Sequence, residues 1–112
     1  IENINILCLK YNFKIVVDSS WRKHSDYKDI LYSSGLDYSI PIIDRTLELD
    51  YDREEEILNY LETNHYVGLF LIIDDNDFND LAKYHVKTET ELGFTKEKLE
   101  EAINLIEELK NN

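Results

Sequence analysis

The stretch Gly68-Leu69-Phe70-Leu71-Ile72-Ile73 is the most hydrophobic in the chain, and it stops abruptly at Asp74-Asp75-Asn76-Asp77. A continuous apolar run of this length with a polar stop reads as a central strand covered on both faces. Two shorter runs repeat the pattern. Ile15-Val16-Val17 reads as a strand buried on both faces and ends at Asp18-Ser19-Ser20. Ile40 to Ile43 reads as another strand, in which Pro41 favours a strand end or an edge.

Between these runs the apolar residues fall at helical spacing. Ile1, Ile4, Cys8 and Tyr11 predict a helix over 1–12, with Cys8 as a small buried residue. Tyr27, Ile30 and Leu31 predict one over 22–34, closed by Gly35 at C′. Residues 44–52 read as irregular and acidic. Asp52 as N-cap with Glu55 at N3 forms a capping box, and Ile57, Leu58 and Leu61 continue that helix to about Asn64. Tyr84 to Lys87 reads as a short strand. Thr95 caps a last helix whose stripe is Leu99, Ala102, Ile103, Ile106 and Leu109.

Alternating helices and strands predict an α/β fold with a mostly parallel sheet. A chain of 112 residues supports one core, so residues 1–112 are expected to form a single domain. Ligands of such sheets bind beyond the carboxyl ends of the strands. The clusters after Val17 and after Ile73 should therefore share a rim, with Ser19 and Asp75 close enough to hold one phosphate and one metal.

Charge narrows the partners. Twelve basic against 24 acidic residues leave a net charge of −12. General nucleic-acid binding by a basic surface and attraction to anionic membranes are both disfavoured. No apolar run approaches the ~18 residues of a membrane span. One cysteine excludes a disulfide framework and a cysteine-based zinc site. A cytoplasmic location is the expectation.

Adjacent carboxylates at a strand end repel one another, and a cation relieves the repulsion. Oxygen-only donors suit Mg²⁺, so Asp74 and Asp75 are candidate metal ligands; a solvated turn is the other reading. Residues 75–86 fail as an EF-hand, because Asp80 stands where glycine is needed and Val86 where the bidentate Glu belongs. Ser19 either hydrogen-bonds a phosphate oxygen or caps the following helix. Arg22 and Arg53 near predicted helix starts oppose the helix dipole unless an anion binds there, and with Ser19 they would form a phosphate cradle. Trp21 either packs under the rim or stacks on a substrate ring. His24, His65 and His85 have no ligand spacing and no nucleophile beside them.

Ile15-Val16-Val17-Asp18-Ser19-Ser20-Trp21-Arg22 resembles the second motif of haloacid dehalogenase-like (HAD) phosphohydrolases. It is most similar to the small HAD domains associated with RNA-repair proteins. Arg53 followed by Glu56-Ile57 resembles that group's Arg-x-x-Glu-Ile at a helix start. Leu71-Ile72-Ile73-Asp74-Asp75 resembles the fourth motif, and Leu92-Gly93-Phe94-Thr95 also fits the group. The resemblance runs from about Ile15 to the C-terminus. It implies a three-layer Rossmann-like core and Mg²⁺-dependent phosphoryl transfer on a phosphomonoester, such as a nucleotide or a nucleic-acid end. It implies that Ser19 holds the transferring phosphate and that Arg53 supplies positive charge. Ser20, Trp21 and Arg22 would contact substrate, and Asp75 would ligate the metal directly with Asp74 beside it, or the two in the reverse roles.

The family's first motif, a strand ending in Asp-x-Asp ahead of the first helix, is not among these 112 residues. The expectation is a further strand and turn upstream of Ile1, central in the sheet, with the present chain lacking it. The alternatives are a non-catalytic acidic protein of the immunity or inhibitor type with a basic protein partner, and a HAD-like domain that has lost catalysis.

Overall fold

The computed structural model describes residues 1–17, 25–46, 53–66, 68–89 and 92–111. The chain divides into two compact units, Ile1–Tyr66 and Val67–Asn112. The order of elements is α1 (Glu2–Tyr11), β1 (Ile15–Val17), α2 (Tyr27–Ser33), β2 (Ile42–Arg45), α3 (Arg53–Thr63), β3 (Ile72–Asp74), β4 (His85–Lys87) and α4 (Lys96–Lys110). A single 3₁₀ turn at Ala82–Tyr84 leads into β4. The alternation and the parallel pairing are those expected of an α/β fold. The described strands form two parallel pairs, one in each unit, where one continuous sheet was expected.

In the first unit α1 buries Leu7 and Cys8 and ends at Asn12, whose φ of 57° places it in the left-handed region that asparagine tolerates. β1 and β2 run parallel with Ile15 opposite Ile42 and Val17 opposite Arg45, and the register slips between Ile15 and Val16. The slip lies where the Ile15 amide donates to the Pro41 carbonyl at 2.8 Å. At the other end the Thr46 amide donates to the Val17 carbonyl at 3.0 Å. Cys8, Val17, Tyr27, Leu36, Ile40 and Ile42 form the core, with Ile4, Phe13, Ile15, Leu31 and Tyr32 packed on it.

Two boundaries differ from expectation. β2 begins two residues later, because 37–40 form a turn. The Asp37 carboxylate accepts from the Ser39 amide and hydroxyl, and Ile40 is buried without being in a strand. The supposedly irregular Asp44 and Arg45 are the end of β2. The first strand is also less covered than its sequence suggests, since Ile15 and Val16 are half-buried and only Val17 is buried.

α2 spans Tyr27–Ser33; positions 22–24 of the expected helix, and Asp52 of the expected capping box, lie outside the described residues. Gly35 closes α2 as expected. Its φ is 115°, its amide donates to Tyr32, and the Leu36 amide reaches back to Leu31, the pattern of a Schellman motif. Asn5 ties α1 to this exit. Its Nδ2 donates to the Gly35 carbonyl and its Oδ1 accepts from the Asp37 amide, both at 2.9 Å.

In the second unit β3 pairs in parallel with β4, Ile72 opposite His85 and Asp74 opposite Lys87. The ladder covers only the last part of the apolar run; Leu69, Phe70 and Leu71 are half-buried and precede it. α4 packs against β4. Val86, Ala102 and Ile106 are fully buried, with Leu99 and Ile72 nearly so. Thr95 caps α4 as its sequence predicts, its hydroxyl accepting from the Lys98 amide. No helix among the described residues is long and apolar enough to cross a membrane.

Candidate functional site at the strand ends

β3 ends in Asp74, which is buried, and the chain continues through exposed Asp75, Asn76 and Asp77. The strand stops at Asp74, so Asp75 already lies in the bend beyond it, and the two adjacent carboxylates part company, one buried and one exposed. Asp74 Oδ1 accepts from the Asn76 amide at 2.9 Å and from Asn76 Nδ2 at 2.8 Å. This Asx turn bends the chain away from the strand. The Asp74 carbonyl accepts from the Thr88 amide at 3.0 Å and lies 2.9 Å from His85 Nε2. A carbonyl can only accept, so this contact assigns the proton to Nε2. The His85 ring meets Phe78 edge-on at 4.5 Å. His85 is thus a packed, hydrogen-bonded residue.

Lys87, the last residue of β4, places Nζ 2.6 Å from Asp77 Oδ1. This bond, reinforced by the mutual charge, lowers the pKa of Asp77 and raises that of Lys87; Asp75 adds to the rise at Lys87. Both partners are exposed, so the pair fixes the geometry of the turn more than it stabilises the fold.

Among the described residues no group of three or more His, Cys, Asp or Glu converges to hold a metal ion. The donor chemistry at the end of β3 still suits a hard cation. Mg²⁺ is commonly held by one or two carboxylates, with waters and substrate phosphate completing the shell. Asp75, exposed beyond a strand end, offers such a carboxylate; Asp74 Oδ1 is committed to Asn76.

The corresponding strand ends of the first unit carry a different chemistry. Ser19, Ser20, Trp21 and Arg22 lie outside the described residues. Arg53 is the first residue of α3 and is half-buried. Its Nε lies 3.7 Å from Oε1 of Glu56, whose side chain is only 5% exposed. Glu54, Glu55 and Glu56 fill the first turn of α3, where the helix dipole favours negative charge.

Sequence reasoning placed Asp44, Arg45 and Thr46 in an irregular segment and gave them no role in a site. The Arg45 guanidinium lies 4.9 Å from the centre of the buried Tyr27 ring. Asp44 accepts from the Tyr60 hydroxyl; partial burial and then this carboxylate raise the Tyr60 pKa. Thr46 is 5% exposed, and its hydroxyl oxygen is buried without a hydrogen-bond partner among the described residues. The missed signal was the strand end: with β2 ending at Arg45, all three residues fall on its carboxyl edge.

A family model describing the HAD domain in Swiss Army Knife RNA repair proteins matches residues 1–99. No curated protein matches the chain, and no solved structure does. The match takes in β1, the start of α3 and the end of β3. The chain belongs to the family of HAD domains found in Swiss Army Knife RNA repair proteins.

Proposed function

We propose that this chain carries the phosphate-binding and metal-binding motifs of a Mg²⁺-dependent phosphohydrolase acting on a phosphomonoester at a nucleic-acid end. The observation that carries the reading is the family match over residues 1–99, which takes in the parallel strands β1 and β3 and the residues that follow them in sequence. The RNA-repair context in the family's description supports a nucleic-acid end as substrate.

Phosphoryl transfer asks mainly for positioning and neutralisation of charge. Ser19 Oγ donates a hydrogen bond to an oxygen of the transferring phosphate. Arg53 supplies a fixed positive charge, and Glu56 stands against its Nε edge. Ser20, Trp21 and Arg22 contact the rest of the substrate. Asp75 holds Mg²⁺, with Asp74 bound back to Asn76 and so setting the turn on which Asp75 sits. When bound, Mg²⁺ neutralises charge on the phosphate oxygens. The Asp-x-Asp motif that supplies the family's nucleophile is not among these 112 residues, so the reaction is assayed on the product of the complete reading frame, whatever its length.

The test is phosphate release by that product from 3′- and 5′-phosphorylated oligonucleotides with and without Mg²⁺, with Ser19→Ala and Arg53→Gln as variants. The reading expects Mg²⁺-dependent release, cut by about 10²-fold or more in each variant. Wild-type turnover matched by both variants would overturn these roles, and absence of release from every oligonucleotide would overturn the reading.

A further inference from the structure

Both peptide planes that flank Asp75 are pinned. The first, between Asp74 and Asp75, carries the Asp74 carbonyl, which accepts from the Thr88 amide at 3.0 Å and from His85 Nε2 at 2.9 Å. Two donors occupy both lone pairs of that oxygen, so the plane is fixed in tilt as well as in direction. A peptide unit is rigid, and the same plane therefore sets the Asp75 amide and Cα. The second plane, between Asp75 and Asn76, is held by the Asn76 amide, which donates to Asp74 Oδ1 at 2.9 Å. With both planes fixed, φ and ψ of Asp75 have little freedom, although the residue is exposed.

The donors differ in kind. The Thr88 amide continues the ladder of β3 and β4, a main-chain bond that does not depend on the side chain at 88. His85 supplies a side-chain donor. It opens β4 opposite Ile72, and its ring reaches two residues along the strand pair to the carbonyl of Asp74. Buried Phe78 meets that ring edge-on, with centroids 4.5 Å apart, and keeps it from turning away. The bond from Lys87 Nζ to Asp77 Oδ1, at 2.6 Å, closes the turn on its far side.

We propose that His85 is a positioning residue for the metal-binding carboxylate: by holding the peptide between Asp74 and Asp75, it presents Asp75 at a fixed place beyond β3 to a hard divalent cation. The proposal rests on the metal reading of Asp75 and names what orders that ligand. A carboxylate offers about four lone-pair sites, so a cation can share Asp75 with a protein donor. A ligand ordered before the metal arrives loses less conformational freedom on binding it. A histidine that served packing alone would affect stability and leave metal affinity unmoved.

The experiment titrates Mn²⁺, which shares the preference of Mg²⁺ for oxygen donors, into the product of the complete reading frame. Free Mn²⁺ is read by electron paramagnetic resonance, and the melting midpoint is recorded on metal-free samples. His85→Phe keeps a flat ring against Phe78 and loses the N–H; its Kd for Mn²⁺ is expected to rise about tenfold. His85→Gln keeps a side-chain N–H donor and is expected to stay within about threefold of the wild type. His85→Leu replaces the phenylalanine variant if that protein does not fold. An unchanged Kd in a folded variant without the N–H overturns the assignment and leaves the metal reading standing. A loss in His85→Gln equal to that in His85→Phe overturns it as well. No Mn²⁺ binding by the wild type, or equal binding by Asp75→Asn, overturns the metal reading and the proposal with it.

Discussion

Asp74 and Asn76 close a turn on themselves: one carboxylate oxygen of Asp74 accepts both the backbone and the side-chain amide of Asn76. The residue between them, Asp75, is exposed while Asp74 is buried. Asp74→Ala removes both bonds from a buried position, and its expected cost is about 1–3 kcal/mol. Urea unfolding of the two proteins measures it. A loss below ~0.5 kcal/mol would show that the turn forms without the carboxylate.

Burial raises the Cys8 thiol from 9.0 to about 11. The unfolded chain therefore loses its thiol proton first as pH rises. Between about pH 9 and pH 11 the unfolded state binds fewer protons than the folded one, so stability falls with pH across that window. The slope from this group approaches at most ~1.4 kcal/mol per pH unit. Below pH 9 it contributes no slope. Cys8→Ala should flatten the decline in urea titrations run from pH 8 to pH 11, and a decline of equal steepness in the variant would assign it to other groups.

Thr46 buries a hydroxyl oxygen that has no hydrogen-bond partner among the described residues. An uncompensated hydroxyl is costly, on the order of 1–3 kcal/mol, and valine has nearly the same shape. Thr46→Val is expected to leave stability unchanged or raise it by about 1 kcal/mol. Thermal melting of the two proteins decides the matter. A lowered midpoint would reveal a partner for the hydroxyl.

Gly35 holds a φ of 115°, where a side chain is strained, and an added Cβ would stand 3.6 Å from Ile1 Cγ2. Space is available, so the penalty for Gly35→Ala comes from the backbone alone, about 1–2 kcal/mol. Asn5→Ala loses two bonds to the same exit, from the Gly35 carbonyl and the Asp37 amide. The two variants share partners, so their effects should not add in a double-mutant cycle. Strict additivity would mean that Asn5 and Gly35 act independently.

What could be read from sequence was whatever a local rule decides. Thr95 announced the start of α4, Gly35 the end of α2, and the spacing of Cys8 its burial. Strand limits were harder. Ile40 is as buried as a strand residue yet sits in a turn, because Asp37 bends the chain by side-chain bonds that hydropathy does not register. Asp44 and Arg45 are polar and still belong to β2, whose end is exposed. The ladder at β3 is set by its three-residue partner β4, so Leu69 to Leu71 stay outside it despite their composition. The candidate site followed the same division. Asp74 and Asp75 were visible as a pair, but their separation into one buried and one exposed carboxylate depended on where the strand ended. Arg45 was overlooked for the same reason.

The central claim is metal-dependent phosphohydrolysis, and Asp75→Asn in the full-length product tests it most directly. The substitution removes one exposed charge with almost no change in volume, so the fold is expected to stay intact. The measurement is Mg²⁺-dependent phosphate release from a phosphorylated oligonucleotide, with the melting midpoint recorded on the same samples. The account predicts that release falls to background in Asp75→Asn while the midpoint is kept. Full wild-type activity in a folded Asp75→Asn protein would contradict it.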